Sequence, residues 1–188
     1  PKYFQADLKR IKPYNLENKK YFIIRLVDLS ASHDFGKKGI NSNLLDKIIT
    51  KCEAYGEVYI INESTINDKY KSKILKIDPS DILHVLAFSE LVISDSQTIT
   101  AESAILGTPT LRYNDFVGRL GYLDEIENYY GLGFGVKTSS PNELIEKLNL
   151  ILSKKNLKNE WKRKKERLLQ DKIDVCQFLL ELIEAELK

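Results

Sequence analysis

The chain of 188 residues contains no methionine, a single tryptophan and only two cysteines. Cys52 and Cys176 stand far apart, without the spacing of a metal site, which indicates two reduced thiols and argues against a disulfide framework. Because the chain starts at Pro1 and has no initiating methionine, we expect it to be part of a longer protein.

Long apolar runs and an excess of charge of one sign are missing as well. No apolar stretch approaches the roughly 18 residues of a membrane span, and no basic and then apolar leader is present, so we expect a cytoplasmic protein without a membrane span. The 29 basic and 27 acidic residues leave a formal net charge of +2, which does not indicate a nucleic-acid partner. A composition that is 43% hydrophobic suffices to bury one core of ordinary size.

From Tyr21 onwards, short β-rich apolar segments alternate with segments of helical spacing. The predicted strands are YFIIRLV, EVYII, LVIS, TPTLRY and GFGV, and SKILKI is a candidate for a further strand. The predicted helices between them include NSNLLDKIITKCEAYG, residues 79–88, residues 98–106, YLDEIENYYG and PNELIEKLNLILS. Strands that are apolar on both faces and alternate with helices indicate a parallel sheet covered on both sides. The predicted fold class is therefore α/β, a doubly wound, Rossmann-like domain.

The pattern divides the chain into three parts. Residues 1–20 are mixed and polar, as in a linker from a preceding domain, and residues 21–155 carry the Rossmann-like pattern. In residues 156–188, apolar residues recur at helical spacing, which predicts C-terminal helices that pack on the domain. The basic run KRKKER in this part favours a solvated helix face over a contact with nucleic acid or lipid.

The segment SDSQTITAESAILGTP places several hydroxyls where a predicted strand passes into a helix. Ser94, Ser96, Thr98 and Thr100 surround the predicted helix N-terminus, where free amides attract an anion such as phosphate. Glu102 follows about one turn later, where a carboxylate can accept both hydroxyls of a ribose. The alternative is structural, because Ser and Thr commonly cap helices and an early Glu complements the helix dipole.

A second candidate loop, SASHDFGKKG, follows the first predicted strand. It places His33 beside two glycines and two lysines, which can supply a flexible backbone, cations and a titratable group next to an anion. The loop matches neither G-x-G-x-x-G nor a Walker A motif. A structural role for His33 stays open, and His84, inside a predicted helix, favours a structural role more strongly.

Three segments together resemble the carboxyl-terminal half of a family of glycosyltransferase-like proteins, a domain of unknown function. These segments are RLVDLSASHDFGKKGI, DILHVLAFSELVISDSQTITAESAILGTPTLRYNDFVG and EIENYYGLGF, and the resemblance spans about residues 21–135. The family is related to UDP-N-acetylglucosamine 2-epimerases and has the GT-B fold. The resemblance implies a two-domain enzyme whose nucleotide-sugar donor, foremost a UDP-sugar, binds this half. A missing N-terminal domain would carry the acceptor site and part of the catalytic apparatus.

The resemblance also implies roles for individual residues. Ile77 and Ile82 mark the loop expected to contact the base, and Glu102 is the expected ribose ligand. Ser96, Gln97 and Thr98 are expected at the diphosphate, with Arg25 at the end of the first strand and His33, as the catalytic candidate, nearby. The chain differs from the epimerases at one position of this site: it has Gln97 and Thr98 where they carry a pair of glycines. This difference argues against assigning the epimerase activity to this chain.

Other residues at the same sheet edge have two interpretations. Arg112 and Asn114 follow the next strand and either contact the donor or the domain cleft, or serve the fold, with Arg112 paired to Glu102 or Asp115. Asp95 would repel a phosphate, so we expect it to turn inward and to bind loop amides. No metal motif is apparent, and the resemblance implies catalysis without a metal or another cofactor.

The function implied by the resemblance is glycosyl transfer in the synthesis of cell-surface polysaccharide or glycans. Hydrogen-bond donors around the diphosphate would stabilise the charge that develops on the leaving group. The alternatives are an NDP-sugar 2-epimerase-like enzyme and a non-catalytic nucleotide-binding or interaction module. Without its N-terminal domain the fragment is expected to be inactive, and its apolar C-terminal stripe makes a homo-oligomer a further alternative.

Overall fold

Five parallel strands form the centre of the structure, a computed structural model that describes residues 4–27, 39–63 and 66–187. The strand order is β2-β1-β3-β4-β5. The strands are β1 (Tyr21–Leu26), β2 (Glu57–Asn62), β3 (Leu91–Ser94), β4 (Thr110–Tyr113) and β5 (Gly133–Val136). This topology confirms the predicted doubly wound, Rossmann-like α/β fold.

Helices connect the strands and begin and end at residues with the expected local chemistry. They are α1 (Leu8–Ile11), α2 (Ser42–Glu53), α3 (Ile82–Phe88), α4 (Gln97–Leu106), α5 (Gly121–Asp124), α6 (Pro141–Leu152), α7 (Leu157–Asp171) and α8 (Val175–Glu186). The side chain of Asn41 caps α2 by accepting the amide of Leu44 at 3.0 Å. Gly107 ends α4 in the left-handed conformation, with φ at 84°, which a glycine adopts without steric cost.

Both faces of the sheet are buried, which explains why the strands read as continuous apolar runs. Phe22 and Ile24 of β1 point to the face covered by α2 and α6, and Ile23 points to the face covered by α1 and α3. Successive side chains of a strand alternate between faces, so each strand needs apolar residues at nearly every position. Helical crossovers between the strands cover both faces, as is usual for a parallel sheet.

The segment SKILKI does not form the additional strand that its composition predicts. Ile74 makes one isolated bridge to Ile60, and the amide of Leu75 donates to the carbonyl oxygen of Ile60 at 2.8 Å. The preceding residues, Asp68–Lys73, form a 3₁₀ helix, and Pro79 opens the next one. With helical turns on both sides, too few residues remain for a ladder, so this prediction was wrong.

The terminal segments contact the face of the sheet that carries α3 and α4. Ile11 and Leu16, from the predicted linker, are buried in the same cluster as residues of α3. Trp161 of α7 is fully buried and donates its indole N–H to the carbonyl oxygen of Leu132 at 2.6 Å. By contrast, α8 buries none of its residues. Among the helices of the described ranges, none combines the length and apolarity needed to cross a bilayer.

The basic run in α7 is partly used within the fold. Lys164 donates to the carbonyl oxygen of Gly131 at 2.9 Å, and Lys165 donates to that of Leu106 at 3.1 Å, near the C-terminal end of α4. A cation at this end complements the helix dipole. Two of the lysines therefore attach α7 to the domain.

Candidate functional site

The candidate site lies where the strand order reverses. From β1 the chain crosses to β2 on one side of the sheet, whereas β3 lies on the other side and continues to β4 and β5. The connections that leave β1 and β3 therefore diverge and leave a crevice at the carboxyl ends of these two strands. Val27 and Asp95 follow these strands directly, and the segment rich in hydroxyls begins here.

Most hydroxyls of this corner serve the local fold. The Oγ atom of Ser94 accepts the amide of Ser96 at 2.8 Å, and the Oγ atom of Ser96 accepts the amide of Ile99 at 3.3 Å. Thr100 donates its hydroxyl to the carbonyl oxygen of Ser96 at 2.6 Å. Of the four hydroxyl residues singled out in the sequence, only Thr98 is exposed. The structural interpretation of these hydroxyls therefore applies to Ser94, Ser96 and Thr100.

The backbone of the same corner remains open. Ser96 is the N-cap of α4, and its side chain binds the third amide of the helix, that of Ile99. Within the described ranges, the amides of Gln97 and Thr98 have no acceptor, and neither side chain makes a hydrogen bond. Two free N–H groups at the positive end of a ten-residue helix favour an anionic group.

Glu102 lies one helical turn beyond this corner. It is four residues after Thr98, so the two side chains share one face of α4. Its carboxylate is half-buried and has no hydrogen bond or ion pair to another described residue. Burial raises the pKa of this carboxyl above its ordinary value. Among the described residues nothing occupies this carboxylate, so it is available to accept hydrogen bonds from a ligand.

Asp95 turns inward, as expected from the sequence. Its carboxylate accepts the amide of Val27 at 2.9 Å and the amide of Ile40 at 3.4 Å. Burial raises the pKa of Asp95 to about 6, while these two amides and the nearby charge of Arg25 act in the opposite direction. Asp95 therefore joins the end of β1, the entry to α2 and the start of the β3–α4 turn.

Arg25 stands at the end of β1, but its guanidinium is largely engaged. One terminal nitrogen donates to the carbonyl oxygens of Leu26, at 3.0 Å, and Ile61, at 3.4 Å, and the other pairs with Glu63. The side chain is mostly buried, and its Nε atom has no hydrogen-bond partner within residues 4–27, 39–63 and 66–187. The structure thus places Arg25 at the predicted edge with one donor unused.

Arg112 and Asn114 lie beneath the corner. Arg112 is fully buried, and its Nε and Nη2 atoms donate to both carboxylate oxygens of Glu127, at 2.7 and 2.8 Å. Its Nη1 atom donates to Oδ1 of Asn114 at 3.1 Å, and Nδ2 of Asn114 donates to the carbonyl oxygen of Asp95 at 2.9 Å. A direct contact of either side chain with a ligand would require this network to open.

Glu127 is the participant that sequence reasoning missed. It belongs to a π-helical turn, Glu125–Tyr129, that continues α5. A Cβ atom on residue 135 would overlap the carboxylate of Glu127, so Gly135 of β5 provides the space for the ion pair with Arg112. Gly135 pairs with Arg112 across the sheet. A glycine opposite a buried arginine was the signal in the sequence that could have indicated a carboxylate partner.

The remaining predicted residues are Ile77, Ile82 and His33. Ile77 and Ile82 are half-buried and pack against the cluster on the α3 face, and Ile77 lines a surface cavity of about 420 Å³ near the end of β2. His33 lies outside the described residues. His84 accepts the amide of Asp7 at 3.0 Å and contacts the ring of Phe4, which agrees with a structural role.

Several solved structures resemble the chain. The UDP-GlcNAc 2-epimerase from Methanocaldococcus jannaschii is 18% identical, with a TM-score of 0.53, over 89% of this chain and 50% of its own. The wall teichoic acid polymerase TagF is 14% identical, with a TM-score of 0.51, over 95% and 46%. Os79 from O. sativa, in complex with UDP and deoxynivalenol-3-glucoside, is 15% identical, with a TM-score of 0.50, over 78% and 36%.

These similarities concern the fold, since the identities are low. The fold is that of the sheet domain of GT-B proteins, as predicted, and the UDP-GlcNAc 2-epimerase is among the similar structures. The chain spans about half, or less, of the length of the solved chains it matches.

Sequence similarity places the chain more narrowly. No curated protein matches it. A family model with the description "Protein of unknown function (DUF354)" matches residues 2–181, nearly the whole chain. The match agrees with the resemblance noted in the sequence, which pointed to a domain of unknown function related to the epimerases. The chain therefore belongs to the DUF354 family.

Proposed function

We propose that this chain is the donor-binding half of a glycosyltransferase-like enzyme that uses a nucleotide-activated sugar. The observation that carries the proposal lies at the switch point of the sheet. There, the amides of Gln97 and Thr98 and, one helical turn later, the carboxylate of Glu102 have no hydrogen-bond partner among the described residues. Amides that donate hydrogen bonds to an anion suit the diphosphate of a nucleotide, and a carboxylate one helical turn away suits the hydroxyls of its ribose.

In this proposal each part of the donor has its own contact. The amides of Gln97 and Thr98 hold the diphosphate, Glu102 accepts the ribose hydroxyls, and the base lies toward Ile77 and Ile82. The side chains of Gln97 and Thr98 add donors where the epimerases carry glycines. His33 and the unused Nε donor of Arg25 stay predicted contacts near the diphosphate.

The chemistry of such a site is stabilisation of the leaving group. When the bond between the sugar C1 atom and the phosphate oxygen breaks, its electron pair stays on the nucleoside diphosphate, while the acceptor oxygen bonds to C1 and loses its proton to a base. Amides that are already oriented toward the diphosphate bind this developing charge more strongly than the ground state. We place the base and the acceptor site on the preceding half, where cell-surface polysaccharide or another glycan would bind.

The direct test is calorimetric titration of UDP, GDP, dTDP and CMP into the purified chain. We expect one of them to bind, and UDP is the first choice because the similar structures include a UDP-GlcNAc 2-epimerase and a complex with UDP. If none binds to a chain whose circular dichroism shows an intact fold, the donor-site proposal fails.

Two other functions lead to different outcomes. An epimerase-like enzyme would convert the sugar of a UDP-sugar without an acceptor, once the chain is joined to its preceding half. A non-catalytic interaction module would bind no nucleotide, whereas a non-catalytic nucleotide-binding module would bind one and transfer no sugar when joined to the preceding half. The substitution of the glycine pair by Gln97 and Thr98 favours transfer over epimerisation, since backbone approach to the phosphate is altered at that position.

The preceding half is also the partner that we assign to α8. The exposed apolar residues around this helix are between 48% and 81% exposed: Ile173, Val175, Phe178, Leu179, Leu180, Leu182, Ile183 and Leu187. Monomeric proteins seldom expose apolar patches above a few hundred Å². The chain covers only about half of the similar proteins or less, so the rest of such a protein is the partner that would bury this helix.

A further inference from the structure

A chain of hydrogen bonds connects the π-helical turn to the candidate anion site. Glu127 pairs with Arg112, Arg112 donates to Asn114, and Asn114 donates to the carbonyl oxygen of Asp95. All four residues are at least nine-tenths buried. The network starts at Glu127, which is 15 residues after Arg112 in the sequence, and ends at the peptide group that leads into α4.

We propose that Asn114, held by the Arg112–Glu127 pair, is a positioning residue for the anion-binding corner. By binding the carbonyl oxygen of Asp95, it orients the peptide that precedes Ser96, and thereby the free amides of Gln97 and Thr98. The carbonyl of Asp95 and the amide of Ser96 belong to one planar peptide group, so fixing the carbonyl also orients Ser96. Ser96 is the N-cap of α4 and binds the amide of Ile99 at 3.3 Å, so its orientation determines where the first turn of α4, with the amides of Gln97 and Thr98, begins. The inference rests on the proposed function, in which these amides hold the diphosphate.

The geometry at Asn114 allows only one orientation of its amide. Its Oδ1 atom accepts both from Arg112, at 3.1 Å, and from the backbone amide of Phe116, at 3.0 Å. The nitrogen must then face Asp95, whose carbonyl oxygen it reaches at 2.9 Å. A side chain that serves two donors and one acceptor at once fits an amide and does not fit a carboxylate.

The other contacts of Asp95 carry the effect across the crevice. Its own amide donates to the carbonyl oxygen of Arg25 at 3.4 Å, and its carboxylate accepts the amides of Val27 and Ile40. A displacement of the Asp95 peptide would therefore change the end of β1 as well as the start of α4. Asp95 therefore holds both sides of the crevice in place.

The test is Asn114→Asp, which keeps the size of the side chain but turns an oxygen toward the carbonyl of Asp95. Affinities for UDP and for uridine are measured by calorimetry and NMR titration. We expect UDP to bind at least tenfold more weakly, and uridine, which lacks the diphosphate, to bind within twofold of the wild-type value. UDP affinity equal to wild type, or an equal loss for uridine, would overturn the proposal.

A matched control is Tyr21→Phe, which removes another buried hydrogen bond, from Tyr21 to the carbonyl oxygen of Val85 at 2.6 Å. It should lower the melting temperature and leave the ratio of the UDP and uridine affinities unchanged. If Asn114→Asp does not fold, Glu127→Gln tests the same network with a near-isosteric side chain, and it should show the same selective loss of UDP.

A readout without ligand separates this inference from the proposed function. In Asn114→Asp, the amide of Val27 should exchange with solvent at least tenfold faster, because its acceptor on Asp95 shifts, while the amide of Ile93 within β3 should be unchanged. If the wild type binds no nucleotide but this pattern appears, the donor-site proposal fails and the positioning of the corner stands. Unchanged exchange at Val27 would overturn the positioning role.

Discussion

Arg112 and Glu127 form a buried, bidentate ion pair, with nitrogen–oxygen distances of 2.7 and 2.8 Å. Arg112 is fully buried, and Glu127 is 8% exposed. The space for the carboxylate exists because residue 135 is a glycine. The pair links the strand beside the switch point to the helical turn that follows α5, so it joins the support of the candidate site to the core.

Removal of one partner of this pair should be far more costly than removal of both. Glu127→Ala leaves a buried guanidinium without its counter-charge and should lower the free energy of unfolding by about 3–5 kcal/mol. The double replacement Arg112→Met with Glu127→Leu removes both charges and should lose less than the single variant. Urea denaturation measures both values, and a loss below about 1 kcal/mol for Glu127→Ala would contradict a well-formed buried pair.

Glu102 should be needed for the nucleotide and not for the fold. Glu102→Ala removes a proposed acceptor of the ribose hydroxyls and should weaken UDP binding about 10-fold or more, as expected for hydrogen bonds to a charged group. Its melting temperature should stay nearly unchanged, because the carboxylate has no described protein partner. Glu146→Ala, on the exposed side of α6, is the control for a lost charge. A large loss of stability with unchanged affinity would assign Glu102 a structural role.

Asp95 should make stability fall as the pH rises. Burial raises its pKa in the folded state to about 6, above the value of 3.8 for an ordinary aspartate, so the folded state binds more protons between about pH 4 and 6. The stability contribution of the protonated group is complete below pH 4 and lost above pH 6. Relative to Asp95→Asn, the wild type should lose roughly 2–3 kcal/mol of unfolding free energy over this range.

Urea denaturation from pH 4 to pH 7 measures this difference. Asp46→Asn provides a control of opposite sign, because hydrogen bonds from Lys69 and Tyr70 lower the pKa of Asp46, so its contribution is lost as the pH falls. Parallel curves for the wild type and Asp95→Asn would show that Asp95 is not buried as the structure has it.

Polar substitutions on α8 should change association and leave the site intact. Phe178→Ser with Leu182→Ser removes apolar surface that is about half exposed, so self-association of the isolated chain should decrease, as measured by light scattering. UDP affinity and the melting temperature should not change, because α8 buries no residue. Glu184→Gln on the same helix is the control. A melting temperature lowered by several degrees would show that α8 packs on the domain.

Much of the fold could be predicted from local patterns. Local signals act through neighbouring residues, and the corresponding strands and helices form as predicted. Examples are the apolar run Tyr21–Leu26, Asn41 at the N-cap of α2 and Gly107 at the C-cap of α4. The segment around Ile74 was the exception, because a single bridge to β2 depends on the space left by the adjacent helical turns. Composition alone does not determine that space.

The candidate site was predictable in position and less so in its parts. The sequence placed hydroxyls, free amides and Glu102 at one strand end, because a strand followed by a helix defines that corner. Three of the hydroxyls turn out to bind their own backbone. Arg112 pairs with Glu127, a partner 15 residues away in a π-helical turn. The pairing of Arg112 with Glu127 depends on the register of β4 and β5 and on the geometry of the π-helical turn, and contacts between residues far apart in the sequence determine both.

By itself, the sequence determined a doubly wound parallel sheet and the strand end that carries the candidate site, because hydrophobic periodicity and capping are properties of neighbouring residues. Only the tertiary structure decided which polar groups stay available. In the part of the chain that the structure describes, the amides of Gln97 and Thr98 and the carboxylate of Glu102 have no partner, while Arg112 and Asn114 are bound within the fold. The reason is physical, since a buried polar group must find a partner wherever the packed chain provides one.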